Sequence, residues 1–196
     1  MTILNSACPD QPDILATMQT IIAPQAKAFI GLVNPKSPAN VGMIMRGAGC
    51  YEASGVFYTG ERFDRARKFA ADTKNAASKI PLVHLEDLTD AVAKAAPAEN
   101  AVLVAIELIE GATPLMDFVH PQNAYYIFGP EDGSLKKEII DQCQHVVYIP
   151  TIGCMNLAAT VNVLLYDRMA KSGGAVVDER PVAANRDVNN KIKIEK

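Results

Sequence analysis

The polar residues that could do chemistry in this chain stand where apolar runs break off. The run 125–128 (YYIF) stops at Gly129-Pro130-Glu131-Asp132-Gly133. The run 146–150 stops at Thr151-Ile152-Gly153, after which Asn156 opens a helical pattern rich in small residues. A third break follows 28–33 (AFIGLV), where a loop of turn formers carries Asn40 and the helical stretch after it carries Arg46. Buried strands that end in glycine-bearing loops leave backbone-lined concavities, and open α/β sheets bind ligands outside the C-terminal ends of their strands. Gly153, Ala158 and Ala159 let backbone come close to a ligand or to another segment. Asn40 stands where a helix N-cap belongs, and Asn is among the best capping residues.

The elements that must position these residues follow one alternation. Strands are expected at 28–33, 55–58, 81–84, 101–106, 125–128 and 146–150. Helices are expected after Asn40, over 86–96, over 135–142 and from Asn156 to about Lys171. Strand and helix in turn predict an α/β fold, a parallel sheet with helices on both faces. The body is expected over 28–171. It follows an extension, 1–27, in which Ile14, Leu15, Met18, Ile21 and Ile22 recur at helical spacing, and it precedes a polar tail, 172–196.

Composition narrows the class. Of 196 residues 49% are hydrophobic, enough for a substantial core, and the net charge of −3 gives no global field toward nucleic acid or membrane. A local field is possible: 61–79 holds Arg62, Arg65, Arg67, Lys68, Lys74 and Lys79 against Glu61, Asp64 and Asp72. That stretch is either a solvated face or an edge that contacts phosphates. Cys8, Cys50, Cys143 and Cys154 are scattered, as are the three histidines, so no metal site is expected. No signal peptide or apolar run of bilayer length is evident, and the expectation is a soluble, cytoplasmic protein with reduced thiols and no membrane partner. No G-x-G-x-x-G or G-x-x-x-x-G-K-[ST] follows any strand, which argues against the common nucleotide-binding α/β classes.

Taken in order, Asn40…Arg46, then Gly129-Pro-Glu131, then Ile149-Pro…Met155-Asn156-Leu157 resembles the SPOUT superfamily of RNA methyltransferases. More narrowly it is similar to the SpoU/TrmH branch of ribose 2′-O-methyltransferases. The resemblance spans about 28–169. It implies a C-terminal deep trefoil knot, S-adenosylmethionine bent inside the two glycine-bearing loops, a homodimer, and no metal. The C-M-N-L run at 154–157 is closest to compact tRNA-modifying members, so tRNA rather than ribosomal RNA is the expected substrate.

Residue by residue, the resemblance assigns catalysis to Arg46, Asn40, Glu131 and Asn156. A lone guanidinium is a poor base, its pKa lying above about 12; Arg46 is expected to grip a phosphate and orient the hydroxyl. Glu131 would hold the pocket together through Arg46 or backbone amides, and Asn156 would fasten the knot or the ribose. Cofactor contacts are carried to Phe128, Gly129, Gly133, Ile149, Thr151, Met155 and Leu157, with Ala105 and Ile106 at the preceding strand end. RNA contacts fall to Arg62, Arg65, Arg67 and Lys68. Two departures matter. Ser134 stands where many relatives have Gly, and Cys154 where many have Ser. They leave open a non-catalytic RNA-binding knot as the competing reading, against which Asn40, Arg46, Glu131 and Asn156 speak.

Overall fold

The computed structural model describes residues 26–67, 80–88 and 101–172, together with Asn189 and Ile192. Seven strands are described: β1 (Ala28–Leu32), β2 (Gly55–Tyr58), β3 (Leu82–His84), β4 (Val102–Ile106), β5 (Thr113–Pro114), β6 (Ala124–Phe128) and β7 (His145–Tyr148). They form one sheet in the order β3-β2-β1-β6-β4-β7-β5, with every pairing parallel. Four described helices accompany it: α1 (Pro38–Cys50), α2 (Arg62–Arg67), α3 (Lys137–Ile140) and α4 (Leu157–Lys171).

The period of two along each strand sorts the core into two layers. Ala28, Ile30 and Leu32 of β1 and Ala124, Tyr126 and Phe128 of β6 face α1 and α4. Phe29, Tyr125 and Ile127 face the other way, onto Leu88, Leu135 and the partly buried Ile139, Ile140 and Cys143. Side chains such as Ile30 and Leu164 are fully out of water, which contributes about 1.5–3 kcal/mol each.

Helix α4 buries Leu157, Ala158, Val161, Leu164 and Leu165, a stripe at i, i+1, i+4, i+7 and i+8. It lies against α1 where Gly47 leaves room; a Cβ there would stand 2.3 Å from Asn162 Oδ1. Its far end is tied down by Arg168, which donates to the carbonyls of Pro121 (2.7 Å) and Gln122 (2.6 Å) and to the Tyr126 hydroxyl (2.9 Å).

Register places the strand ends on one line. Leu32 pairs with Tyr58 and Phe128, Phe128 with Ile106, and Ile106 with Val147. Thr113 pairs with Val147 from the other side. Ile106 and Thr113 therefore flank β7 at the same level, and residues 107–112 must cross β7 to join them. The sequence expectation for this region was a loop and a turn of helix. The turn is present as a 3-10 turn at Leu115–Asp117, while β5 was missed, because two residues including a proline carry no alternation.

Two boundaries are corrected. The α1 cap is Ser37, not Asn40: Ser37 Oγ accepts the Asn40 amide (3.3 Å) and Pro38 occupies the first turn. Ser before Pro suits the cap and first helical position better than an Asn three residues on. The helix expected over 135–142 shrinks to the single turn of α3. The expected helix at 86–96 lies mostly outside the described residues, as do nearly all of 1–27 and most of the tail.

Candidate active site

The chain's chemistry-bearing residues gather at the C-terminal edge of the sheet, along three loops. The first, 33–37, joins β1 to α1. The second, 129–136, follows β6. The third, 149–156, follows β7.

Glu131 links the second loop to the first. Its Oε2 accepts the Lys36 amide (2.8 Å), and its Oε1 accepts the Ser37 amide (3.0 Å) and the Asn40 Nδ2 (3.1 Å). Partial burial pushes the carboxyl up, but the hydrogen bonds from Asn40 and from the Lys36 and Ser37 amides together outweigh it and hold its pKa below the ordinary value of 4.5. Asn40 is thus a strut to Glu131 rather than a cap. Arg46 lies six residues further along α1, about 9 Å along its axis. It is exposed and makes no hydrogen bond or ion pair among the described residues. Of the two ways expected for Glu131 to brace the pocket, the backbone amides are realised and Arg46 is not.

Asp132 works beside it. Arg62 Nη1 donates to both Asp132 oxygens (2.8 and 2.9 Å), and Lys36 Nζ lies 3.7 Å from Oδ2. Arg62 also donates from Nε to the Asn34 carbonyl (3.1 Å). The Arg62 hydrogen bond, ahead of the Coulomb attraction, lowers the Asp132 pKa. Arg62 was expected to contact RNA; its guanidinium is engaged at the surface by Asp132 and the Asn34 carbonyl. Arg65 is paired with Glu61. Arg67 closes α2, its side chain outside the described residues, and Lys68 lies outside them altogether.

The third loop forms one wall of a cleft lined by Ile106, Glu107, Leu108, Tyr148, Ile149, Thr151, Gly153, Cys154, Met155 and Thr160. Four expected cofactor residues, Ile106, Ile149, Thr151 and Met155, come together here. Three do not present side chains to it. Ala105, Phe128 and Leu157 are buried in the two core layers, because the alternation that makes them apolar also points them inward. Gly129 and Gly133 sit in the second loop instead. A Cβ on Gly129 would meet the Leu135 amide at 3.2 Å, and Gly133 closes a turn by donating to the Pro130 carbonyl (3.3 Å). Asn156 caps α4, its Oδ1 accepting the Ala159 amide (2.7 Å).

Glu107 is the residue that sequence reasoning missed. It lines the cleft, accepts the Leu135 amide at Oε2 (2.7 Å) and the Leu108 amide at Oε1 (3.1 Å), and so ties the cleft to the second loop. The signal was available: Glu107 directly follows the AVLVAI strand, at the edge where ligands bind. Among the described residues no three His, Cys, Asp or Glu side chains gather into a metal-binding group. No described helix is long and apolar enough to cross a membrane.

The family model for the SpoU rRNA methylase family matches residues 27–166. The chain belongs to that family. Among solved structures, the chain is similar to the SpoU methyltransferase AviRb from Streptomyces viridochromogenes, with 21% identity and a TM-score of 0.62 over 80% of this chain and 64% of that one. It is similar to an AdoMet-bound rRNA methyltransferase from Sinorhizobium meliloti, with 21% identity and a TM-score of 0.61 over 78% and 59%. It is also similar to a TrmH/SpoU tRNA modifying enzyme from A. aeolicus, with 14% identity and a TM-score of 0.63 over 76% and 77%. At these identities the likeness is one of fold. The chain spans about three fifths of the length of the first of these solved relatives. No curated protein matches it.

Proposed function

We propose that this SpoU-family chain is an S-adenosylmethionine-dependent methyltransferase acting on a ribose 2′-hydroxyl of RNA. The observation that carries the reading is the Glu131 clamp. It binds the loop after β6 to the start of the helix that bears Arg46, beside a cleft at the strand ends.

The cleft fits the cofactor's chemistry. Ile106, Ile149 and Met155 offer apolar surface to an adenine ring and to the cofactor's methylene chain. The amides of residues 151–155 donate to no backbone carbonyl of a described residue, leaving them open to polar groups. When bound, S-adenosylmethionine supplies an electrophilic methyl group on a sulfonium. The protein's part is positioning and exclusion of water. Arg46, exposed and unpaired among the described residues, has its donors free to hold an RNA phosphate and orient the hydroxyl in this reading. Glu131 and Asn40 fix the start of its helix, and Asn156 fixes the start of α4 below the cleft.

Three finer points belong to the same proposal. The substrate is tRNA: a solved protein from work on the 2-OH methylation of C/U34 on tRNA is similar over 80% of this chain and 98% of its own, at 22% identity and a TM-score of 0.60. The enzyme is a cytoplasmic homodimer; Met43 on α1 and Val163 and Tyr166 on α4 are exposed apolar side chains on packed helices. The chain after β7 is threaded into a trefoil knot beneath the 107–112 crossing. The test is to incubate the protein with total tRNA and methyl-labelled S-adenosylmethionine, digest the RNA, and identify the labelled nucleoside by mass spectrometry. A 2′-O-methylnucleoside supports the reading. Protein that binds RNA while no label enters it would make this a non-catalytic RNA-binding member.

A further inference from the structure

We infer that Arg62 is a positioning residue for the transfer reaction, holding the loop that launches α1, and not an RNA-contacting residue. The inference rests on the methyltransferase reading for its kinetic part and on geometry alone for its structural part.

The loop 34–37 has little to hold its shape by itself. Asn34 is in the left-handed region (φ 43°), where a non-glycine residue needs outside support. Groups distant in sequence supply it, beginning with Thr59, whose Oγ1 accepts the Asn34 amide (3.3 Å). Glu131 takes the Lys36 and Ser37 amides. Arg62 covers the remaining end, donating from Nε and Nη2 to the Asn34 carbonyl and from Nη1 to Asp132. A planar guanidinium can do both at once because its donors form a fixed fork; an ammonium cannot. Asn34 is further packed against Gly60, at φ 75°, where a Cβ would lie 2.3 Å from the Asn34 Oδ1.

The result is a closed frame. The consecutive acids Glu131 and Asp132 grip the β1–α1 loop, Glu131 through the loop's backbone amides and Asp132 through Arg62 and the Lys36 ammonium, and the same 129–136 segment is tied to the cleft by Glu107. Arg62 thereby joins the part of the protein proposed to hold the cofactor to the helix proposed to hold the RNA. A residue spent this way has few donors left for phosphate, whereas Arg46 has all of its own.

The experiment compares wild type, Arg62→Lys, Arg62→Ala and Asp132→Asn. Hydrogen exchange of the peptide covering 34–40 is measured first and needs no activity. Arg62→Ala and Asp132→Asn are expected to speed exchange of the Lys36 and Ser37 amides, while the core strands stay protected. Unchanged exchange in both variants overturns the inference. RNA affinity and its salt dependence are measured next. They are expected to match wild type, and a salt slope reduced by about one overturns the inference by making Arg62 a phosphate contact. Where wild type methylates RNA, kcat should fall at least tenfold in Arg62→Ala with little change in KM for RNA. Arg62→Lys should restore only part of it, and an unchanged kcat would overturn the kinetic role. A wild type that transfers no methyl group while the exchange result holds would fault the methyltransferase reading and leave the frame standing.

Discussion

The loops after β6 and β7 look alike in the sequence, each an apolar run broken by glycine, yet the structure builds them in opposite ways. The 129–136 loop is fastened at every turn. Glu131 holds three donors, Asp132 holds Arg62, Gly133 closes onto Pro130, and Leu135 is buried with its amide on Glu107. The 149–156 loop is open. Ile152 is fully exposed, Gly153 has nothing within 4 Å of where a Cβ would stand, and Thr151 Oγ1 reaches only the Gly153 carbonyl (2.6 Å) within the same loop. A loop fixed from inside sets the geometry of its neighbours. A loop with unused backbone groups at a strand end is the one suited to receive a ligand. Glycine alone does not distinguish the two; the partners do.

Breaking the fastened loop should have the largest effect. Glu131→Ala strands the Lys36 and Ser37 amides and the Asn40 amide group. Methyl transfer should fall on the order of 10²-fold, since small misplacements near a reacting pair cost that much. Melting temperature should drop by several degrees, as each of the hydrogen bonds lost contributes about 0.5–1.5 kcal/mol. Steady-state kinetics and thermal denaturation check both. Full activity would show that the clamp is ornamental to catalysis.

The open loop should respond in the reverse manner. Gly153→Val adds a side chain into free space, so stability should stay within about 0.5 kcal/mol of wild type. Cofactor affinity should nevertheless fall roughly tenfold, about 1.4 kcal/mol, because the added bulk grows into the cleft. Calorimetry on the two proteins reads it. A loss of stability with unchanged affinity would reverse the roles assigned to the loops.

Gly60→Ala sharpens the contrast from the fastened side. The left-handed φ and the contact with Asn34 Oδ1 make even one methyl unfavourable, by about 1–2 kcal/mol for the backbone alone. Denaturant unfolding should show this loss, against none for the larger change at Gly153. The smallest effect is with pH. Because the Glu131 pKa is lowered on folding, its stabilisation is complete above about the ordinary glutamate value of 4.5 and is lost as pH falls through the depressed folded value. Glu131→Gln should flatten that acid limb of a melting-temperature profile. A limb identical to wild type would place the titration elsewhere.

Much of this was legible in the chain. The strands β1, β2, β3, β4, β6 and β7 were readable from apolar runs bounded by turn residues, and their alternation with helices led to the parallel sheet. Glu131, Asn156 and four cofactor candidates were found at the strand ends where the structure puts them. What was not legible depends on pairs far apart in sequence. Arg62 meets Asp132 across 70 residues and Glu107 meets Leu135 across 28, and no local pattern records either. The two-residue and helical periods turn the side chains of Ala105, Phe128 and Leu157 into the core, so only their backbone groups are left to face a ligand. The cap at Ser37 was legible and overlooked, since Ser37-Pro38 is itself a helix-start signal.

The most direct measurement is calorimetric titration of the full chain with S-adenosylhomocysteine, run on wild type, Gly153→Val and Arg62→Ala. The account predicts one molecule bound per chain with micromolar affinity, weakened by Gly153→Val and left unchanged by Arg62→Ala. Folded wild-type protein that takes up no S-adenosylhomocysteine, or binding that Gly153→Val leaves untouched, would contradict the assignment of the open loop as the cofactor's cradle.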